Sequence, residues 1–154
     1  MSTYDFTKGA GAVSELDFRR MFCIRVEFAV ADIIASNATM TANGYITIAD
    51  IIQLYDVPAE AVLLVSMASF KILTAGTASA TANIGIAGGS ELFSAVALDA
   101  TAGTISCVAD DATWGTDNYG AYEFESTDTI DFTVAGANLA AGKFLFMCPG
   151  YMME

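Results

Sequence analysis

Strict alternation of apolar and polar residues constrains this chain more than any other feature. It is clearest in Thr127-Asp128-Thr129-Ile130-Asp131-Phe132-Thr133-Val134-Ala135-Gly136 and in Gly142-Lys143-Phe144-Leu145-Phe146-Met147-Cys148. Successive side chains of a strand point to opposite faces, so a period of two puts Ile130, Phe132 and Val134 on one face. A helix would need apolar residues three and four apart. Turn residues rich in Gly, Asn and Asp bracket these segments and mark them as half-buried strands.

The same pattern extends upstream. Phe22 to Ala31 alternates around Arg25 and Glu27, and Tyr45-Ile46-Thr47-Ile48 follows the hairpin-type pair Asn43-Gly44. Ile51 to Asp56 stops at Pro58, which has no backbone donor for a ladder. Val62 to Leu73 reads as one long central strand, because Val, Phe and Ile are frequent in it. Ala80–Ile86, Thr104–Val108 and Lys143–Met147 complete the set, the last extending towards Met152. Tyr122–Glu125 is expected to pair with Thr129–Val134 across Ser126-Thr127-Asp128. Ser90–Asp99 reads as a short helix or an irregular insertion. No strand–helix rhythm is present, which excludes a parallel α/β fold. The expected class is all-β: an antiparallel β-sandwich, jelly-roll-like, with about eight strands and an N-terminal arm. Residues 1–20 form the expected arm, with Ser14 able to cap a short helical turn, and 21–154 form the single domain.

A chain of 154 residues is long enough to bury roughly two thirds of its unfolded surface. Its hydrophobic content is 55% and its mean hydropathy +0.51. The longest apolar run, from Val62 to Phe70, still falls short of the roughly 20 residues that cross a bilayer. The excess apolar content is spread over short segments. That implies strands covered on both faces, with some cover from a neighbouring subunit. The net charge of −12 opposes binding to nucleic acid and to anionic membranes, and it keeps an apolar chain soluble.

Cys23, Cys107 and Cys148 are widely spaced and lie in apolar contexts, so they read as buried free thiols in a reducing compartment. The N-terminus has no apolar signal core, and the expected site of synthesis is a cytoplasm. On the same ground the sequon Asn37-Ala38-Thr39 is not expected to carry a glycan.

Chemistry finds little to work with. The chain contains no histidine, which removes Ser–His–Asp triads, Cys–His pairs and histidine metal sites. Gly85-Ile86-Ala87-Gly88-Gly89-Ser90 lacks the Gly-Lys-Ser/Thr ending of a phosphate loop and reads as a wide turn with positive φ angles. Asp110 to Tyr122 holds three carboxylates, an Asn, Trp114, Tyr119 and Tyr122. It reads as a solvated loop with a Trp cap over the core, as a protein contact, as a sugar-stacking site or as a Ca²⁺ site, in that order. Glu123 and Glu125 share one strand face, an arrangement used by glycosidases and more often by a solvated surface.

The second half resembles small virion structural proteins of tailed bacteriophages. The residues that carry the likeness are Ala80-Thr81-Ala82-Asn83-Ile84-Gly85, Leu98-Asp99-Ala100-Thr101-Ala102-Gly103-Thr104, Ser126 to Thr133 and Ala140-Ala141-Gly142-Lys143. Asp50 to Pro58 belongs with them. The likeness covers residues 45–150 and is a pattern of turns and strands. It implies a capsid cement or decoration protein that clamps the expanded lattice of the major capsid protein. Such a protein sits on the outer capsid surface of the virion and is assembled in the bacterial cytoplasm. It would be a homo-oligomer, a trimer before a dimer, with no enzymatic activity, cofactor or metal. The expected contacts are Tyr4, Phe6, Phe18, Arg19 and Arg20 on the arm and Trp114, Tyr119 and Tyr122 on the loop. Met147 and Tyr151-Met152-Met153 add adaptable apolar surface. A carbohydrate-binding module of a tail or fibre, using Trp114 and its tyrosines, is the alternative.

Overall fold

The computed structural model describes residues 3–5, 21–107 and 120–153. Among these the chain runs through β1 (Thr3–Asp5), β2 (Met21–Ala29), α1 (Val30–Ser36), α2 (Ala38–Asn43), β3 (Ile51–Val57) and β4 (Ala61–Leu63). A 3-10 turn at Val65–Met67 leads into β5 (Ser69–Thr74), β6 (Thr81–Gly85), β7 (Phe93–Ala97), β8 (Ile105–Cys107) and β9 (Tyr122–Glu123). The last two strands are β10 (Asp128–Ala135) and β11 (Lys143–Met152).

The strands form two sheets packed as a sandwich, as the alternation predicts. The first has the order β1-β3-β10-β6-β7. In the second, β11 is central. It pairs with β2 along one side from Lys143 to Tyr151, and with β5 and then β4 along the other. β8 lies outside β5 and β9 outside β4. The pairs within the sheets are antiparallel except β1 with β3, which is parallel.

The two sheets meet over aromatic side chains. Phe28, Phe70 and Phe144 project from the second sheet, and Phe132 and Phe93 from the first. Phe28 meets Phe132 edge-on at 5.3 Å, and Phe132 stacks on Phe70 at 6.2 Å and on Phe144 at 6.1 Å. Rings of this size dominate the energetics of a core.

Several sequence expectations are corrected. Residues 30–43 are two short helices, and the alternation of β2 ends at Ala29. Val30, Ile33 and Met40 are the buried anchors of the pair. The Asn37 side chain caps α2 by accepting from the backbone N–H groups of Thr39 and Met40. Asn43-Gly44 is therefore a helix end and not a hairpin: Gly44 closes α2 in the left-handed region, at φ 75°. Tyr45–Ile48 makes only a bridge, through Ile46 and Leu139.

Val62–Leu73 is not one strand. It breaks at Val65–Met67 into β4 and β5, and both pair with β11. Pro149 of β11 lies at this break. Its carbonyl accepts from Leu64 N at 2.9 Å, so its donor-less nitrogen also faces the interruption, where no ladder bond is lost.

Ser90–Asp99 contains the edge strand β7. There the Asn83 side chain accepts from Ala95 N at 2.8 Å, at a residue of positive φ. Tyr122–Glu123 pairs with β4 in the second sheet, not with β10. All three cysteines are free, but only Cys148 is buried. Cys23 is half-buried and Cys107 exposed. Burial, with Cys23 nearby, pushes the Cys148 thiol up to about 12.

Candidate interaction surface

The residues picked from the sequence are placed unevenly. Phe6, Phe18, Arg19, Arg20, Trp114 and Tyr119 lie outside the described residues, as do Asp110, Asp111 and Asp117 of the Ca²⁺ reading. Tyr4 is in β1, its backbone in register with Ile52. Tyr122 is half-buried in β9, edge-on to Phe124 at 5.0 Å.

Tyr122 and Phe124 line an open depression of about 280 Å³ with Glu123, Glu125, Ser126 and Asp128. Glu123 lies on the strand and Glu125 in the exposed bend after it, so the pair does not share a strand face. Among the described residues no group of three acidic or cysteine side chains is placed to hold a metal.

The glycine-rich segment is a turn with positive φ at Ala87 and Gly88. Two of its backbone donors are taken by the chain's own carboxylates. Glu91 accepts from Ile86 N at 3.0 Å, and Asp131 accepts from Gly88 N at 2.8 Å. Thr129 Oγ1 donates to the second Asp131 oxygen at 2.7 Å, and Thr133 Oγ1 donates to Gly88 O at 3.2 Å. The turn thus folds back over the outer face of β10 and leaves Asp131 only 3% exposed. Burial pushes the Asp131 carboxyl above the usual carboxylate range, helped by Asp128 and Glu91, against the opposing pull of its hydrogen bonds. Gly88 itself lies against Ile51, where a Cβ would overlap the Ile51 side chain.

The outer face of the second sheet is different. In β11, Phe144, Phe146 and Cys148 point inward and are buried, while Lys143, Leu145, Met147, Pro149 and Tyr151 point outward. Pairing aligns these with outward residues of the neighbours. One row runs Cys107, Ser69, Met147, Arg25, and the next runs Ile105, Lys71, Leu145, Glu27. Cys23 is opposite Pro149, and Met21 is opposite Tyr151. Ile105 is 55% exposed and Met21 45%. The face is thus mixed: Ile105, Leu145, Met147, Pro149, Tyr151, Cys23 and Met21 are its apolar members, interrupted by Ser69, Lys71, Arg25 and Glu27.

Charge is sorted on the same face. The sequence has six basic residues. Those among the described residues, Arg25, Lys71 and Lys143, all point outward from this sheet. Glu27 sits between two of them, accepting from Lys143 Nζ at 2.6 Å and from Arg25 at 3.1 Å. Its carboxyl is held below the usual range, first by the Lys143 hydrogen bond and charge and then by Arg25. Lys71 has no carboxylate partner among the described residues.

The sequence reading singled out Met147 and Tyr151 but not Leu145, Ile105, Arg25, Lys71 or Lys143. The available signal was in β11, where both parities of one strand are apolar.

The fold is similar to that of solved virus structures. A chain of the capsid of Ralstonia phage GP4 aligns over 99% of this chain and 97% of its own length, with a TM-score of 0.63 and 20% identity. A chain of the Cyanophage Pam1 capsid asymmetric unit aligns over 93% of this chain and 92% of its own, with a TM-score of 0.57 and 17% identity. At these identities the likeness is one of fold. No family model and no curated protein matches the sequence.

Proposed function

We propose that this chain is a structural protein of a bacteriophage virion, and that its role is that of a cement or decoration protein on the capsid. The observation that carries the reading is the likeness of fold, over nearly the whole length of both chains, to a chain of a phage capsid.

Topology supports it. Leaving aside the short strands β1, β4 and β9, the sheets have the orders β2-β11-β5-β8 and β3-β10-β6-β7. Neighbours in sequence lie in opposite sheets except β6 and β7, which pair as a hairpin, and the last strands return beside the first. We infer a jelly roll, two Greek keys folded on each other, an architecture common in viral capsids.

The role is mechanical, with no catalytic step. A rigid sandwich, an acidic surface that keeps the free chain soluble and a partly apolar outer sheet face suit a subunit that is finally buried in an assembly. The partners in this reading are the major capsid protein, contacted in part through the arm and the 110–122 loop, and further copies of the chain.

Co-sedimentation of the purified protein with expanded and unexpanded capsids of the phage that encodes it tests the proposal. Saturable binding to expanded shells, lost in the double variant Arg19→Glu and Arg20→Glu, which leaves β1 in its sheet, is the expected result. A folded protein that binds neither form would end the cement reading.

A further inference from the structure

The carboxylates of the described residues are not spread evenly. Asp56, Glu60, Glu123 and Glu125 are exposed and Asp128 half-exposed, and all five surround one end of the sandwich. Asp128 pairs with Val57, next to Asp56; Glu60 N donates to Phe124 O; Glu123 pairs with Val62. This end holds the depression lined by Tyr122 and Phe124 and adjoins the last residues of β11, through Met153 N and Glu60 O. The basic residues lie towards the opposite end of that strand, around Lys143. β11 is ten residues long, roughly 30 Å of extended chain. Along it the molecule changes from a mixed apolar and basic face carrying Arg25, Lys71 and Lys143 to an end carrying five carboxylates and the half-buried ring of Tyr122.

We propose that the outer face of β2-β11-β5-β8 binds the carboxylate-rich end of a second copy of this chain. The inference rests on the reading above for the expectation that copies associate, and it adds the two surfaces involved. Complementarity of charge selects the occupant. In a chain with net charge −12, most surfaces repel one another. The sheet face with Lys71 is the basic exception among the described residues, and half-buried Tyr122 gives the acidic end an aromatic edge for its apolar members. Because the two surfaces differ, the contact is head-to-tail. It propagates from copy to copy until it closes, as a two-fold dimer where both surfaces of one copy meet both of the other, or as a larger ring.

The test is sedimentation equilibrium of the full chain through the micromolar range, with two charge-reversed double variants. One carries Arg25→Glu and Lys71→Glu, the other Glu123→Lys and Glu125→Lys. These residues are at the surface, and circular dichroism checks that each variant is folded. Each variant alone is expected to associate about tenfold or more weakly than the parent. An equimolar mixture, in which each reversed surface meets its complement, is expected to regain the assembly. Cys107 lies on the sheet face, so in the unmodified protein its alkylation is expected to slow in proportion to the associated fraction. That readout needs no variant.

A monomer at every concentration, variants that associate like the parent or an alkylation rate indifferent to association would each overturn the proposal. The two readings separate cleanly. An oligomer of the stated kind that ignores capsids would refute the virion role and keep this contact, while a monomer that binds capsids would do the reverse.

Discussion

Asp131 lies on the solvent side of its sheet and is nevertheless buried, because the Gly85–Glu91 turn folds over it. The carboxylate has partners in Gly88 N and Thr129 Oγ1, but it has lost water, and Glu91 and Asp128 are near. Desolvation prevails, and the folded-state pKa lies above the ordinary carboxylate value. The folded chain therefore binds this proton more tightly than the unfolded chain does. Below the unfolded pKa both states are protonated, and Asp131 has no effect on the pH dependence. As pH rises from there through the raised folded value, stability falls, by at most about 1.4 kcal/mol per pH unit. Above that value the loss is complete. Asp131→Asn keeps an acceptor for Gly88 and removes the titration. The urea midpoint of the parent minus that of the variant should decline across the weakly acidic range and level off on either side. A difference that is flat, or that rises with pH, would contradict the burial described for this group.

Elements with strict alternation and turn residues at both ends were legible: β3, β6, β8, β10 and β11 fall where the sequence places them. The helices were not. α1 and α2 have seven and six residues, too few to show a helical period, and Asn-Gly provides the same left-handed backbone for a helix end as for a hairpin. Partner choice was also hidden. Nothing local in Tyr122–Glu123 distinguishes β4 from β10 as a neighbour, and nothing local in Val62–Leu73 shows that a proline on another strand faces its break. The decisive signal for α2 is Asn37, the residue that satisfies two of its free backbone donors. Asn37→Ala removes both hydrogen bonds and should cost about 1 kcal/mol in urea unfolding, with Asn37→Ser recovering most of it. A cost for Asn37→Ser as large as for Asn37→Ala would mean that the cap is not what holds α2.

At the scale of the whole molecule, sequence logic found the inner faces more readily than the outer ones. It sought a contact surface by residue type, through aromatic and basic side chains in the arm and the 110–122 loop, most of which lie outside the described residues. It did not find the outer face of the second sheet, because that surface is made of residues far apart in the chain: Arg25, Lys71, Ile105 and Leu145 become neighbours only when four strands are in register. Two substitutions separate the roles of the inner and outer apolar sets. Phe132 is fully buried and joins the sheets through Phe28, Phe70 and Phe144. Truncating it to Ala opens a cavity between the sheets and should cost about 3–5 kcal/mol, a large share of the roughly 5–15 kcal/mol that holds a typical domain together. Ile105 is apolar too, but at 55% exposure it makes little of the subunit's own core. Ile105→Ala should change the stability of the monomer by no more than about 0.5 kcal/mol. Urea unfolding of dilute protein measures both. Comparable costs would show that the outer row belongs to the core of the subunit. A wide gap would leave Ile105 without a part in holding the subunit together, as its place at the outer edge of β5 requires.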